Sequence, residues 1–336
     1  MHRSGAHLDI VRLQDGAPLR GPILVQAENH LLQRHGRGRE DTGPKDPGRG
    51  GARAKMSSMR PLAPLSLIFL AGCTMPSLDF VADLGDGPHV QGSGPVVTNA
   101  RTAKSVTRIV VGGGVELDVR IGSPSIRISA QKNIAPLIKT RFENGTLTIS
   151  PEGNYSTSET VRAVVQMPSL TSLTSSGGSS AVAQGFPAKA LDLTASGAGQ
   201  ILWKGDATSL SAEATGGATV RLKGAAKSAT LEASGAGAVD IDRLNGGDLI
   251  VKLEGSSQSS VPGRAGKLRV EASGASVANF GTLTSNHASV EADGASTVKI
   301  GRTSGGSAKA TGASRIEYRG KLDRVENHSA SEVIGR

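Results

Sequence analysis

A glycine set among small residues returns at Gly177, Gly197, Gly216, Gly235, Gly255, Gly274, Gly294 and Gly312, at intervals of 20, 19, 19, 20, 19, 20 and 18 residues. Chance does not hold a phase over eight copies. An internal repeat of this length marks an array of stacked units, each unable to close a core alone. A ninth, degenerate copy, Ser329-Ala330-Ser331, ends the series with Ser329 in the place of the glycine.

The residues around each glycine keep a fixed character. Four before it stand Leu173, Leu193, Ala212, Leu231, Val251, Val270, Val290 and Ala308. Two before it stand Ser175, Ala195, Ala214, Ala233, Leu253, Ala272, Ala292 and Ala310. Between them lie Thr174, Thr194, Glu213, Glu232, Lys252, Glu271, Glu291 and Lys309. Alternation of apolar and polar residues is the signature of a half-buried strand. It resumes after the glycine, as in Ile201/Trp203, Val220/Leu222 and Val298/Ile300, and a second glycine often follows, at Gly185, Gly205, Gly224, Gly263, Gly281, Gly301 and Gly320. Each repeat reads as strand, glycine turn, strand, glycine turn. No repeat offers the 10–12 glycine-free residues that a helix with a 3.6 period requires. The expectation is an all-β, single-stranded parallel β-helix with about 20 residues per rung.

Composition fits a slender solenoid. The 336 residues include 45 glycines and eight aromatics: Trp203, two Tyr and five Phe. A thick globular core draws on large side chains for its buried apolar area. Stacked at about 4.8 Å per rung, small residues fall on small residues, so a narrow interior is still filled. Trp203 sits in an apolar column, where packing is the expected role; a sugar-stacking platform is the other reading.

Residues 105–168 lack the repeat yet alternate, as in Val115, Leu117, Val119 and Ile121, and Asn144-Gly145 is a hairpin signal. They are expected to form the first, longer coils and a β-rich cap, with the repeats over 169–336. An uncapped end would template edge-to-edge pairing.

Upstream, residues 59–73 carry Arg60, an apolar run from Leu62 to Leu70, and then Leu70-Ala71-Gly72-Cys73. The run is too short to cross a bilayer as a helix, and its layout is that of a secretory signal. The last four residues resemble a bacterial lipobox, with Cys73, the chain's one cysteine, as the thiol to be acylated. A lone Cys allows no intrachain disulfide. In lipoprotein families an Asp after the Cys favours inner-membrane retention; here it is Thr74, which points to the outer membrane. Residues 56–72 are thus expected as a signal peptide, with translation starting at Met56 or Met59. Residues 1–55 are expected to be a mis-annotated or disordered leader, and 73–104, with Pro76, Gly85, Gly87, Pro88, Gly92, Gly94 and Pro95, a flexible tether.

The formal charge is +9. Residues 1–55 hold 10 Lys/Arg against 6 Asp/Glu, and residues 74–336 hold 27 against 23, so each part carries +4. Over the longer part the signs look interspersed. With no concentrated basic run and few aromatics, nucleic acid is not expected as a partner. The histidines His89, His287 and His328 stand apart, and no metal-ligand spacing or cofactor motif appears. The Glu/Lys column could hold a cation between adjacent glutamates. As a solvated face, it would use its lysines to relieve like-charge repulsion. No catalytic, cofactor or metal residue is assigned.

The series Val106-x-x-Ile109-x-Val111, Glu143-Asn-Gly-Thr-Leu-Thr-Ile149, Val165-x-Met-Pro-Ser-Leu170, the repeated Ser-Gly-Ala turns and Ile316-Glu-Tyr-Arg-Gly320 resembles the head GIN domain family of auto-transporter adhesins, over about 105–336. The resemblance implies a right-handed β-helix, an envelope location and no known reaction. The expected function is that of a non-enzymatic envelope lipoprotein, an adhesin or surface scaffold held to the membrane through Cys73 and binding a glycan or protein. A polysaccharide-processing β-helix enzyme is the alternative by fold analogy. Self-assembly through exposed end strands is a third reading.

Overall fold

The computed structural model describes residues 89–336. The expectations for 1–55, for the signal peptide 56–72, for the lipobox and Cys73, and for the tether over 73–88 fall outside the described residues. Every regular element described is a strand, and nearly all belong to one stacked, mostly parallel arrangement.

The alternation of buried and exposed residues dictates the shape of a coil. Leu268, Val270 and Ala272 point inward along Gly263–Ala272, which ends at the Gly274 turn. Ala278 and Phe280 point inward along Val277–Phe280. The alternation then resets at a corner of Gly281 and Thr282, continues inward with Leu283 and Ser285, and resets again at the exposed pair Asn286 and His287. Each coil therefore has three sides: side one before the glycine turn, side two after it, and a short side three. The second glycine of the repeat often marks a bend, not a break: Gly224 lies inside the strand Thr219–Ala233 and Gly301 inside Thr297–Thr303.

Ten successive parallel pairings on side one join eleven levels. At roughly 4.8 Å per level, the stack is about 48 Å long. Equivalent residues pair with equivalent residues, as Leu191 with Leu210, Ala229, Leu249, Leu268 and Ala288 in turn. Large and small residues alternate in depth across the interior, and one continuous buried cluster runs from Val106 to Ile316. Ala233 is 3 % exposed in the column nearest the turn, between Ala214 and Leu253. Ala233→Leu is expected to cost about 1–3 kcal/mol by overpacking. A melting temperature unchanged within error would show that the column is loose.

The order of levels differs from the order of the chain. Arg108–Val111 pairs on one side with Thr146–Pro151 and on the other with Ser172–Ser175. Glu116–Ile121 likewise lies between Arg162–Met167 and Ser180–Gln184. The outermost parallel level is thus built from 146–167, not from the segment that comes first. Antiparallel strands close this end: Ser125–Gln131 lies on Arg162–Met167, Val96–Arg101 lies on Ser125–Gln131, and Ile138–Glu143 lies on Thr146–Pro151. Asn144 and Gly145 join the last pair with φ of 48° and 74°, as a two-residue hairpin turn of primed type requires.

The expected tether over 73–104 is corrected for its described part. Val90–Gln91 pairs with Tyr155–Ser156, and Val96–Arg101 is a strand of the cap. The Gly and Pro residues of that segment obscured a β-favouring run, Val96-Val97-Thr98, which lies beyond Pro95. Among the described residues no such cover lies on the opposite end. Arg324–Asn327 and Glu332–Gly335 pair on one edge each, and Val325 is 44 % exposed. Ser329 holds the turn there at φ 63°, where every earlier copy has glycine.

Candidate functional site

Along side one the outward residues form one file. Thr174, Thr194, Glu213, Glu232, Lys252, Glu271, Glu291 and Lys309 lie level by level in register, and Glu326 continues the file. Two residues nearer the turn runs a second file that includes Ser234, Glu254, Ser273, Asp293 and Thr311. Their strands bend toward the glycine turn, and between the two files lies an open groove of about 340 Å³. Backbone hydrogen bonds fix its edge: Ala275 N donates to Gly255 O and Ala295 N to Gly274 O, both at 2.7 Å.

The charges in the groove are mostly partnered. Lys252 Nζ lies 2.8 Å from Glu254 Oε1, and Arg269 Nη2 donates to Glu271 Oε1 at 2.6 Å. The Thr311 hydroxyl donates to Asp293 Oδ1 at 2.5 Å. That bond, with the Gly294 backbone and Lys309, holds the Asp293 carboxyl below the usual carboxylate range. The Glu254 carboxylate in turn raises Lys252 above the ordinary lysine value. These groups are exposed; the Glu254 and Glu271 side chains are 51 % and 40 % open to solvent. A carboxylic acid that works as a proton donor near neutrality is ordinarily raised by burial, and no such dry pocket surrounds these carboxylates.

A smaller hollow of about 260 Å³ lies on side two near the capped end, between Glu116, Asp118, Arg120 and Arg162. There Arg162 Nη2 meets Glu116 Oε2 at 3.0 Å and Arg120 Nη2 meets Asp118 Oδ2 at 2.5 Å. Among the described residues no group of three or more His, Cys, Asp or Glu stands where it would hold a metal ion. His89 Nε2 is 2.9 Å from Ser156 Oγ, and His328 Nε2 is 3.9 Å from Glu326 Oε2; neither meets another histidine.

The eight turn glycines, Gly177 through Gly312, all adopt φ between 66° and 76° and stack into one corner ridge. Trp203 is fully buried and packs at 5.9 Å from Phe186, so it is a core residue and offers no platform to a sugar. Sequence reading missed a buried file two residues after each glycine, which includes Ser179, Ser257, Ser276, Ser296 and Ser314. Ser314 Oγ donates to Ala292 O at 3.0 Å, and Ser179 Oγ accepts from Gly114 N and Val115 N. Serine at a constant offset from the turn was the available signal, but an exposed loop residue looks the same in a sequence.

The family whose description is "Putative auto-transporter adhesin, head GIN domain" matches residues 106–261 and again 227–321. No curated protein matches the chain. Solved structures are similar. A putative adhesin from Parabacteroides merdae aligns at a TM-score of 0.59 and 16 % identity, covering 74 % of this chain and 100 % of its own. A putative lipid binding protein from Parabacteroides distasonis aligns at 0.54 and 16 %, covering 74 % and 100 %. A putative adhesin from the same organism aligns at 0.54 and 15 %, covering 74 % and 98 %. At these identities the likeness is one of fold.

Proposed function

The chain belongs to the head GIN domain family, and from that premise we propose that it is a non-enzymatic envelope lipoprotein whose solenoid is a binding rod. The observation that carries this reading is the unbroken register over eleven levels. It turns side one into a straight file of outward groups at a fixed pitch. Such a surface suits an extended partner better than a compact substrate. The partner is a glycan or a protein on a surface. Cys73, acylated after cleavage behind Leu70-Ala71-Gly72, holds the rod to the outer membrane.

Cys73→Ser tests the anchor. The parent is expected in the outer-membrane fraction and to take up a labelled fatty acid; the variant is expected in the soluble fraction without label. A variant that stays in the membrane would refute attachment through this thiol.

A second reading keeps one observation in its favour. The side-one groove gathers Glu271, Glu291, Asp293 and Lys309. A polysaccharide-processing enzyme would use such carboxylates as acid and base. Turnover of a polysaccharide by the purified chain, abolished by Glu271→Gln or Glu291→Gln, would replace the binding reading with that one.

A further inference from the structure

Side three is the shortest side, and its outward file is basic. Pairing places Lys189, Thr208, Lys227 and Asn245 on successive levels, and then Arg264, Thr284, Arg302 and Arg319. A cation therefore occupies every second level from Lys189 to Arg302, roughly 9.6 Å apart, with a neutral hydrogen-bonding side chain between. Lys204 and Lys223 stack on adjacent levels at the neighbouring corner. All of these basic side chains are exposed, and none joins an ion pair among the described residues.

Charge is segregated across the rod. With Arg243 and Lys267, nine basic residues lie on side three and its two corners against Asp206, Asp242 and Asp248, a balance of 9 − 3 = +6. Two of those three acids are engaged by the backbone: Asp206 Oδ1 accepts from Ala225 N and Asp248 Oδ1 from Lys267 N. Set two levels apart on an exposed face, the cations of this file repel one another only weakly.

We infer that side three is a docking ridge for a linear anionic polysaccharide in which charged and neutral sugars alternate. The cations match the charged sugars at every second level, and Thr208, Asn245 and Thr284 offer hydrogen bonds to the hydroxyls between. Single-stranded nucleic acid fits less well. Its phosphates come at closer intervals than the cations, and binding draws on exposed aromatic stacking, whereas Trp203, Phe186 and Phe280 are buried. A lipid surface also fits less well, because the exposed large apolar residues, Val96, Ile121, Ile250, Val277 and Val325, lie outside this file.

The inference rests on the reading of the chain as a binding rod. Its test uses the purified full-length chain and immobilised hyaluronate, with a neutral dextran as blank. Retention that falls with rising salt is expected. Lys227→Gln/Arg264→Gln/Arg302→Gln is expected to weaken binding roughly tenfold or more, with the melting curve unchanged. Lys252→Gln/Arg269→Gln/Lys309→Gln, which removes the same charge from side one, is expected to bind as the parent does. Failure of the parent to bind hyaluronate, or equal losses in the two variants, overturns the ridge. So does tighter binding to a single-stranded oligonucleotide or to phosphatidylglycerol vesicles. Adherence of cells bearing the parent protein, measured beside cells lacking it, keeps the two readings apart. Intact adherence without hyaluronate binding sinks the ridge alone, and loss of both sinks the rod's binding role.

Discussion

Gly274→Ala is expected to destabilise the protein by about 3 kcal/mol, the upper end of what a single substitution usually costs. Two independent terms add. Gly274 has φ +76°, and an L-residue in that region costs about 1–2 kcal/mol. The added carbon would also stand 2.6 Å from Gly255 O and 3.0 Å from Gly255 Cα, a backbone that cannot swing aside. That carbonyl is pinned by the 2.7 Å bond from Ala275 N, and moving it sacrifices a hydrogen bond worth about 1 kcal/mol. Two other glycines divide these contributions. Gly177, at φ +66°, has Gly113 N as its nearest neighbour at 3.5 Å, so Gly177→Ala carries the conformational cost without the clash. Gly178 has open space and no positive φ, so Gly178→Ala should be close to neutral. Denaturant midpoints should rank the three in that order, with amide exchange fastest in the coils around Gly274. Equal midpoints for Gly274→Ala and Gly178→Ala would mean that the corner ridge is not closely stacked.

Trp203→Ala is expected to cost about 3–5 kcal/mol, the range for emptying a large buried aromatic site. Trp203 is 0 % exposed and lies in register between Ala183 and Leu222, so the small Ala183 below it makes room for the indole. Phe186 tilts against it at 40°. Among the described residues the indole Nε1 meets no acceptor, and an unmet buried donor costs about 1–3 kcal/mol. Trp203→Phe removes that donor while keeping most of the volume, so it should lose far less than Trp203→Ala. Thermal and denaturant unfolding of the two variants measures the difference. Parity between them would deny that the indole fills a closed space.

The glycine phase and the two-residue alternation were enough to specify strands, coils and the inward files, because stacking repeats a local pattern without altering it. Ala195, Ala214 and Ala233 are buried one above the other as their spacing requires. The third side was illegible. It contributes one or two inward residues per coil, such as Ala207, Ala226 and Leu244, too few to show a period. Its basic file was hidden for a related reason. Lys189, Lys227, Arg264 and Arg302 recur at 38, 37 and 38 residues, two repeats apart, and a count of total charge averages them away. The acidic groove, in contrast, was visible as a file of Glu and Lys at single-repeat spacing. The cap resisted reading because its antiparallel contacts, such as Val96 with Gln131, join segments whose partner choice no local signal encodes.

The interleaved position of 108–121 constrains how the protein can be made. Both of its lateral neighbours, 146–167 and 172–184, come later in the chain. A nascent polypeptide emerging from its N-terminus therefore has no parallel mate for these two strands until some forty residues more have been extruded. The parallel levels of the closed end therefore need 146–184 before they can form, whereas each later winding pairs with the one next to it in the chain. A winding inserted or lost among the later repeats leaves the pairings of the closed end untouched.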